Sequence, residues 1–273
     1  MPIPAAIPFP QIDPNAFSLG PIVVKWYALA YIVGLLSAVW YAKRIVRNEK
    51  LWPDGKPSAT PEQIDDLLIW ATLGVVLGGR LGYVLFYNPA YFAANPASIL
   101  QVWTGGMSFH GGFLGVVVAC LLYGRRHGIG LDRLLDLAAA GVPIGLGLGR
   151  LANFINGELY GRATDVPWGM VFPGGGAAPR HPSQLYEAAM EGVLLFVAVR
   201  VATHYWRVLP RPGAVSGVFA MVYGTSRFLV EFAREPDSHI GYLAGGWLTM
   251  GMILSLPLIA VGVWLWLRAR PAT

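Results

Sequence analysis

Apolar residues in this chain come in long stretches separated by short clusters of Lys, Arg, Gly and Pro. A helix needs ~20 mostly apolar residues to cross the hydrocarbon core of a bilayer. By that measure the pattern predicts seven spans, at roughly 22–42, 67–87, 107–124, 134–151, 185–203, 214–232 and 244–267. Residues 1–20 are rich in Pro and read as an extended lead-in. Residues 88–106 read as a Pro-containing loop with one short apolar piece. The longest stretch with little helix character, 153–184, predicts a small extramembrane head of turns and short strands between spans four and five. The expected fold class is an all-α membrane protein. One integral domain covers residues 1–273, with the head as an insert.

Small residues mark where helices can approach closely. Gly74, Gly78 and Gly82 recur every fourth residue on the second span, as do Gly141, Gly145 and Gly149 on the fourth. Pro143 among those glycines predicts a kinked or broken fourth span, which is tolerated where neighbours satisfy the freed backbone groups.

Composition supports the membrane reading. The 273 residues are 55% hydrophobic and 13% charged, whereas a soluble domain carries about 25% charged residues. Ten Trp and twelve Tyr suit two interfacial belts. The net charge of +5 fits cationic loops facing anionic headgroups. No basic stripe interleaved with aromatics marks a nucleic-acid surface. With the N-terminus outside, inner loops and tail hold twelve Lys and Arg against six on the outer side, which puts the C-terminus in the cytoplasm. No basic region precedes the first apolar segment, so a cleaved signal peptide is not expected. The lone Cys120 lies in an apolar run and reads as inert packing. It excludes an intrachain disulfide and a cysteine metal site. No long internal repeat marks an inverted-repeat transporter.

Polar groups inside such spans need a partner or a role. Arg150 stands at the mouth of the apolar run Gly141 to Leu148, with Asn153, Asn156 and Glu158 close behind. Arg227 stands near the outer end of the sixth span. Two guanidiniums in one outer cavity would clamp an anion, phosphate above all. The plainer readings are ion pairs: Arg227 with Glu231 four residues on, and Arg150 with Glu158. Arg80, deeper in the second span, reads as structural, pairing with Glu187 or Glu191. His110 sits among Gly105, Gly106, Gly111, Gly112 and Gly115. It is either a satisfied core histidine or a base with room for a large group beside it. Asn153 and Asn156 suit a glycerol hydroxyl or an ester carbonyl, or a helix-ending turn with Gly157. Ser183 is placed to cap the fifth span. Nucleophile elbow, zincin and Walker motifs are absent from the sequence, which leaves hydrolase, zinc protease and ATPase readings without support.

The run from Gly149 to Gly161 carries Gly-Arg-x-Ala-Asn-Phe-Ile-Asn-x-Glu-x-x-Gly. With Gly105 to Gly112, His181 to Glu187 and Tyr223 to Asp237, it resembles the prolipoprotein diacylglyceryl transferase family of the bacterial cytoplasmic (inner) membrane. The resemblance does not clearly extend over residues 1–20 or 173–179. It implies transfer of the diacylglyceryl group of phosphatidylglycerol to the lipobox cysteine thiol of a prolipoprotein, with a thioether formed and glycerol phosphate released. No cofactor and no metal are implied. The family's essential histidine and arginines fall on His110, Arg150 and Arg227, and its tyrosines on Tyr27 and Tyr223. Asn153, Glu158 and Gly161 match functional positions of the signature. Both substrates could then enter sideways, so a bulky residue at Gly145 or Gly111 is expected to slow turnover and leave folding intact. The alternative is a membrane transporter or binding protein for an anionic lipid or solute. Polar groups gathered at one membrane face speak against a through path.

Overall fold

The computed structural model describes residues 7–52, 56–236 and 241–270. The first six residues of the lead-in and Asp237 lie outside them. The chain divides into two compact units, residues 1–41 with 136–273, and residues 42–135.

In the first unit the lead-in is more than an extended tail. Strand β1 (Ile7–Pro8) pairs in parallel with β4 (Met170–Val171) of the head. Strands β2 (Asn15–Leu19) and β3 (Ile22–Lys25) form an antiparallel hairpin that turns at Gly20, where φ is +61°. The β-branched run Ile22-Val23-Val24 suits a strand, so helix α1 (Trp26–Arg47) begins four residues later than the apolar pattern predicts.

Helix α5 (Leu131–Ile155) runs unbroken through Pro143, so of the expected kink or break the break is absent. One missing backbone bond does not end a 25-residue helix whose neighbours hold it on both sides. Irregularity falls on the fifth span instead. There, α6 (Ser183–Glu187) passes through a π-helical stretch at Ala188–Leu194 into α7 (Leu195–Arg200), then a second at Val201–Tyr205. Helices α8 (Ala214–Val230) and α9 (Met250–Arg268) complete the unit. They approach closely at Gly217, where a Cβ would meet the Gly262 carbonyl at 2.9 Å. Asp136 caps α8, accepting from the amides of Gly213 (2.8 Å) and Ser216 (2.7 Å). A carboxylate there also complements the helix dipole.

The second unit is built on α2 (Pro61–Phe86) and α4 (Phe109–His127), with the short α3 (Pro89–Ala94) and two 3₁₀ turns between them. Thr60 and Gln63 form a capping box at the start of α2. The predicted glycine face is real. Gly74, Gly78 and Gly82 lie against Gly111 and Gly115 so closely that a Cβ at Gly78 would overlap the Gly111 carbonyl oxygen. The expectation for Gly111 therefore changes. Gly111→Val should lower the unfolding midpoint of the purified protein, with an overpacking cost of about 1–3 kcal/mol. An unchanged midpoint would show that these helices can part freely.

Four helices among the described residues, α1, α2, α5 and α9, are long and apolar enough to cross a membrane. Helix α8 is apolar but shorter, and the fifth span is segmented. The protein is thus a mostly helical membrane protein.

Candidate active site

The site grows from the end of α5. Gly147 of α5 meets Gly192 of the π-helical stretch backbone to backbone: a Cβ on Gly192 would lie 2.6 Å from the Gly147 Cα. That contact brings Arg150, three residues on, beside Glu187 and Glu191. Both carboxylates are fully buried. Arg150 Nε lies 3.2 Å from Glu187 Oε2, and its Nη2 donates to Glu191 Oε2 at 3.1 Å.

Helix α8 supplies the second guanidinium. Its Ser226 hydroxyl donates to the Met190 carbonyl at 3.4 Å, which holds α8 against the π-helical stretch. Arg227 Nη1 then donates to Glu187 Oε1 at 3.1 Å, and its Nη2 pairs with Glu231 at 2.5 Å. Arg234 Nη1 reaches the same Glu187 oxygen at 2.5 Å and its Nε lies 3.2 Å from Glu231. Thr249 donates to the other Glu231 oxygen at 2.5 Å. Tyr223, one turn before Arg227, lies within electrostatic reach of both arginines and both buried glutamates.

Three guanidiniums and three carboxylates therefore form one network. Burying such charges is tolerable only when nearly all are paired. Among the described residues Glu187 Oε2 and Glu191 Oε1 accept no well-directed hydrogen bond, but each faces a guanidinium, Arg150 Nε at 3.2 Å and Arg227 Nη1 at 3.9 Å. The arginines keep some exposure, with side-chain accessibilities of 21% for Arg150 and 19% for Arg227.

The signature loop frames the network. Helix α5 ends at Ile155, and Gly157 turns the chain in the left-handed region at φ +66°. Asn153 and Asn156 both donate to Glu158 Oε1, at 2.9 and 3.2 Å. Glu158 thus fastens the loop and is not the partner of Arg150. Ser183 does not cap α6; its hydroxyl donates to the Leu159 carbonyl at 3.0 Å. Gly161 donates to the His181 carbonyl at 2.9 Å. A Cβ at Gly161 would overlap the Ala233 carbonyl oxygen, so only glycine fits. Arg162 closes the rim by donating to the carbonyls of Arg234 (2.6 Å) and Glu231 (2.8 Å).

Burial, aided by the Arg162 cation, holds the His181 imidazole below its usual range. The ring lies 3.2 Å from the Tyr186 hydroxyl, which accepts from the Trp168 indole at 2.6 Å.

Of the predicted residues, the structure joins Arg150 and Arg227 through shared carboxylates, places Tyr223 beside them, and ties Asn153 to Glu158. Tyr27 is in the first turn of α1 with its ring 6.2 Å from Tyr31. His110 is the second residue of α4 and is exposed in the second unit. Arg80 does not pair with Glu187 or Glu191: its partners are backbone carbonyls. Glu187, Glu191 and Arg234 are the site residues that sequence reasoning missed. Two acids four residues apart in an apolar run were the available signal. Among the described residues no group of three or more His, Cys, Asp and Glu is arranged to hold a metal ion.

The family model of prolipoprotein diacylglyceryl transferase matches residues 14–268. The chain belongs to the prolipoprotein diacylglyceryl transferase family. It is 54% identical over 266 residues to a protein of Brucella anthropi named phosphatidylglycerol–prolipoprotein diacylglyceryl transferase, covering 97% of this chain and 95% of that one. A protein of the same name from Brucella canis is 55% identical over 268 residues, 98% of this chain and 95% of the relative. The matched range, residues 14–268, includes the helices that carry the arginine–glutamate network. The motif resemblance of Gly149 to Gly161 therefore extends to the whole transferase, a bacterial membrane enzyme.

Proposed function

We propose that this chain transfers the diacylglyceryl group of phosphatidylglycerol to the lipobox cysteine of a prolipoprotein. The cysteine sulfur attacks the glycerol CH2 carbon that carries the phosphate. A C–S bond forms, the C–O bond breaks, and the electron pair leaves on the phosphate oxygen as glycerol phosphate. The thiol proton passes to His110, because the thiolate is the nucleophile. The observation that carries this reading is the convergence of Arg150 and Arg227 on the buried pair Glu187 and Glu191. Both guanidiniums are held in fixed orientations and remain partly exposed. Such donors stabilise charge growing on a leaving oxygen without reorganising at that moment.

Asn153, Glu158 and Gly161 shape the loop over that headgroup, Tyr223 lines it, and Tyr27 meets the lipid from α1. Seven spans fit the chain when α4, α8 and the segmented fifth helix are counted with the four long ones. The N-terminus and the head, residues 153–184, then face outward and the C-terminus the cytoplasm.

Purified protein mixed with phosphatidylglycerol and a lipobox peptide should release glycerol phosphate in step with the mass gained by the peptide. A peptide with serine in place of the cysteine should release none. Lipid binding without release would mark a binding protein instead of an enzyme.

A further inference from the structure

Arg80 is a buried charge that the reaction above does not use. It lies within α2, only 4% exposed. A cation so placed in a membrane helix is costly unless its surroundings answer it. Here the answer comes from backbone carbonyls and not from an acid. Nε donates to Ile99 O at 2.8 Å, Nη2 to Ser98 O at 2.5 Å, and Nη1 to Gly105 O at 2.5 Å and Gly106 O at 3.2 Å. The guanidinium also stacks over the Phe92 ring at 5.1 Å. Four of its five N–H donors are thereby engaged on one segment of chain.

That segment leads directly into α4. Gly106, at φ +80°, packs so tightly on the Tyr83 ring that a Cβ would come within 2.5 Å of it. Two residues on, the Ser108 amide donates to Gly79 O at 2.9 Å, and the Ser108 side chain caps α4 by accepting from the Gly111 amide at 3.2 Å. His110 lies between the cap and the residue it caps. Gly79, Arg80 and Tyr83, one turn of α2, thus hold the chain on the approach to the imidazole.

We propose that Arg80 is a positioning residue for His110: its planar fork fixes the carbonyls of residues 98–106 and so sets where α4 starts and where the imidazole is presented. This rests on the reading of His110 as the group that takes the thiol proton. Lysine cannot substitute, because an ammonium is a point donor without the fork that spans both ends of the loop.

The test uses two lipobox peptides, one with cysteine and one with selenocysteine at the acceptor position. A selenol is already ionised at neutral pH, so its attack needs no base. Arg80→Lys should lower kcat with the cysteine peptide about 10²-fold, the cost of a small misplacement of a catalytic group. The KM for phosphatidylglycerol should not change, and the selenocysteine peptide should recover most of the lost rate. His110→Gln should show the same selenium-selective recovery. If His110→Gln recovers and Arg80→Lys does not, the positioning role of Arg80 is wrong while the base reading stands. If His110→Gln does not recover, the base reading fails and the role of Arg80 with it. An Arg80→Lys protein with full rate also overturns the proposal. Should Arg80→Lys not accumulate, Gly105→Ala serves. Its Cβ has open space but would sit at φ +87°, so the strain falls on the peptide that Arg80 grips. Selenium-selective recovery is expected there too, and equal slowing with both peptides would refute the proposal.

Discussion

Arg150→Lys should slow glycerol phosphate release about 10²–10³-fold, the scale set by removing one fixed donor from a developing oxyanion. Lysine keeps the charge but not the geometry. Arg150 reaches Glu187 through Nε and Glu191 through Nη2 at the same time, which fixes the plane of its guanidinium. An ammonium on a flexible stem would settle on one acid and present its charge from a different place. The measurement is kcat at saturating phosphatidylglycerol, with unfolding followed in parallel to confirm that the helices remain packed. A lysine variant as fast as the parent would remove leaving-group stabilisation from the role of Arg150.

Glu187→Gln should be more damaging to the fold than any change at the rim. Glu187 is fully buried and faces three guanidiniums, those of Arg150, Arg227 and Arg234. Removing its charge leaves cations unbalanced in a low-dielectric interior, at a cost of about 3–5 kcal/mol. The unfolding midpoint of the purified protein should fall steeply, or the variant should fail to accumulate in the membrane. The exposed pair of Arg180 with Glu235 is the internal comparison: Glu235→Gln should cost no more than about 1 kcal/mol. Equal midpoints for the two variants would mean that the buried network contributes nothing to holding α5, α8 and the fifth span together.

The sequence reading and the structure agree where a single stretch of chain carries enough information. Apolar length located the helices, and the spacing of Gly74, Gly78 and Gly82 located the close contact of α2. The Arg227–Glu231 pair followed from helical spacing. Disagreement begins where a partner is far away in sequence. Arg150 was matched to nearby Glu158, but the backbone contact of Gly147 with Gly192 delivers Glu187 and Glu191 instead. Arg80 was given those acids because acids are visible in a sequence. Its true partners are carbonyls, which every residue has and no letter marks. Pro143 reads locally as a kink or a break, and close packing of α5 at Gly141 and Gly147 accompanies a helix that stays continuous.

The choice of carbonyls around Arg80 has a consequence for acid tolerance. Neither a guanidinium nor a peptide oxygen gains or loses a proton in ordinary buffers, so the strap ahead of α4 should hold its shape across them. The start of α4, and His110 with it, is therefore held in place without the help of any carboxylate.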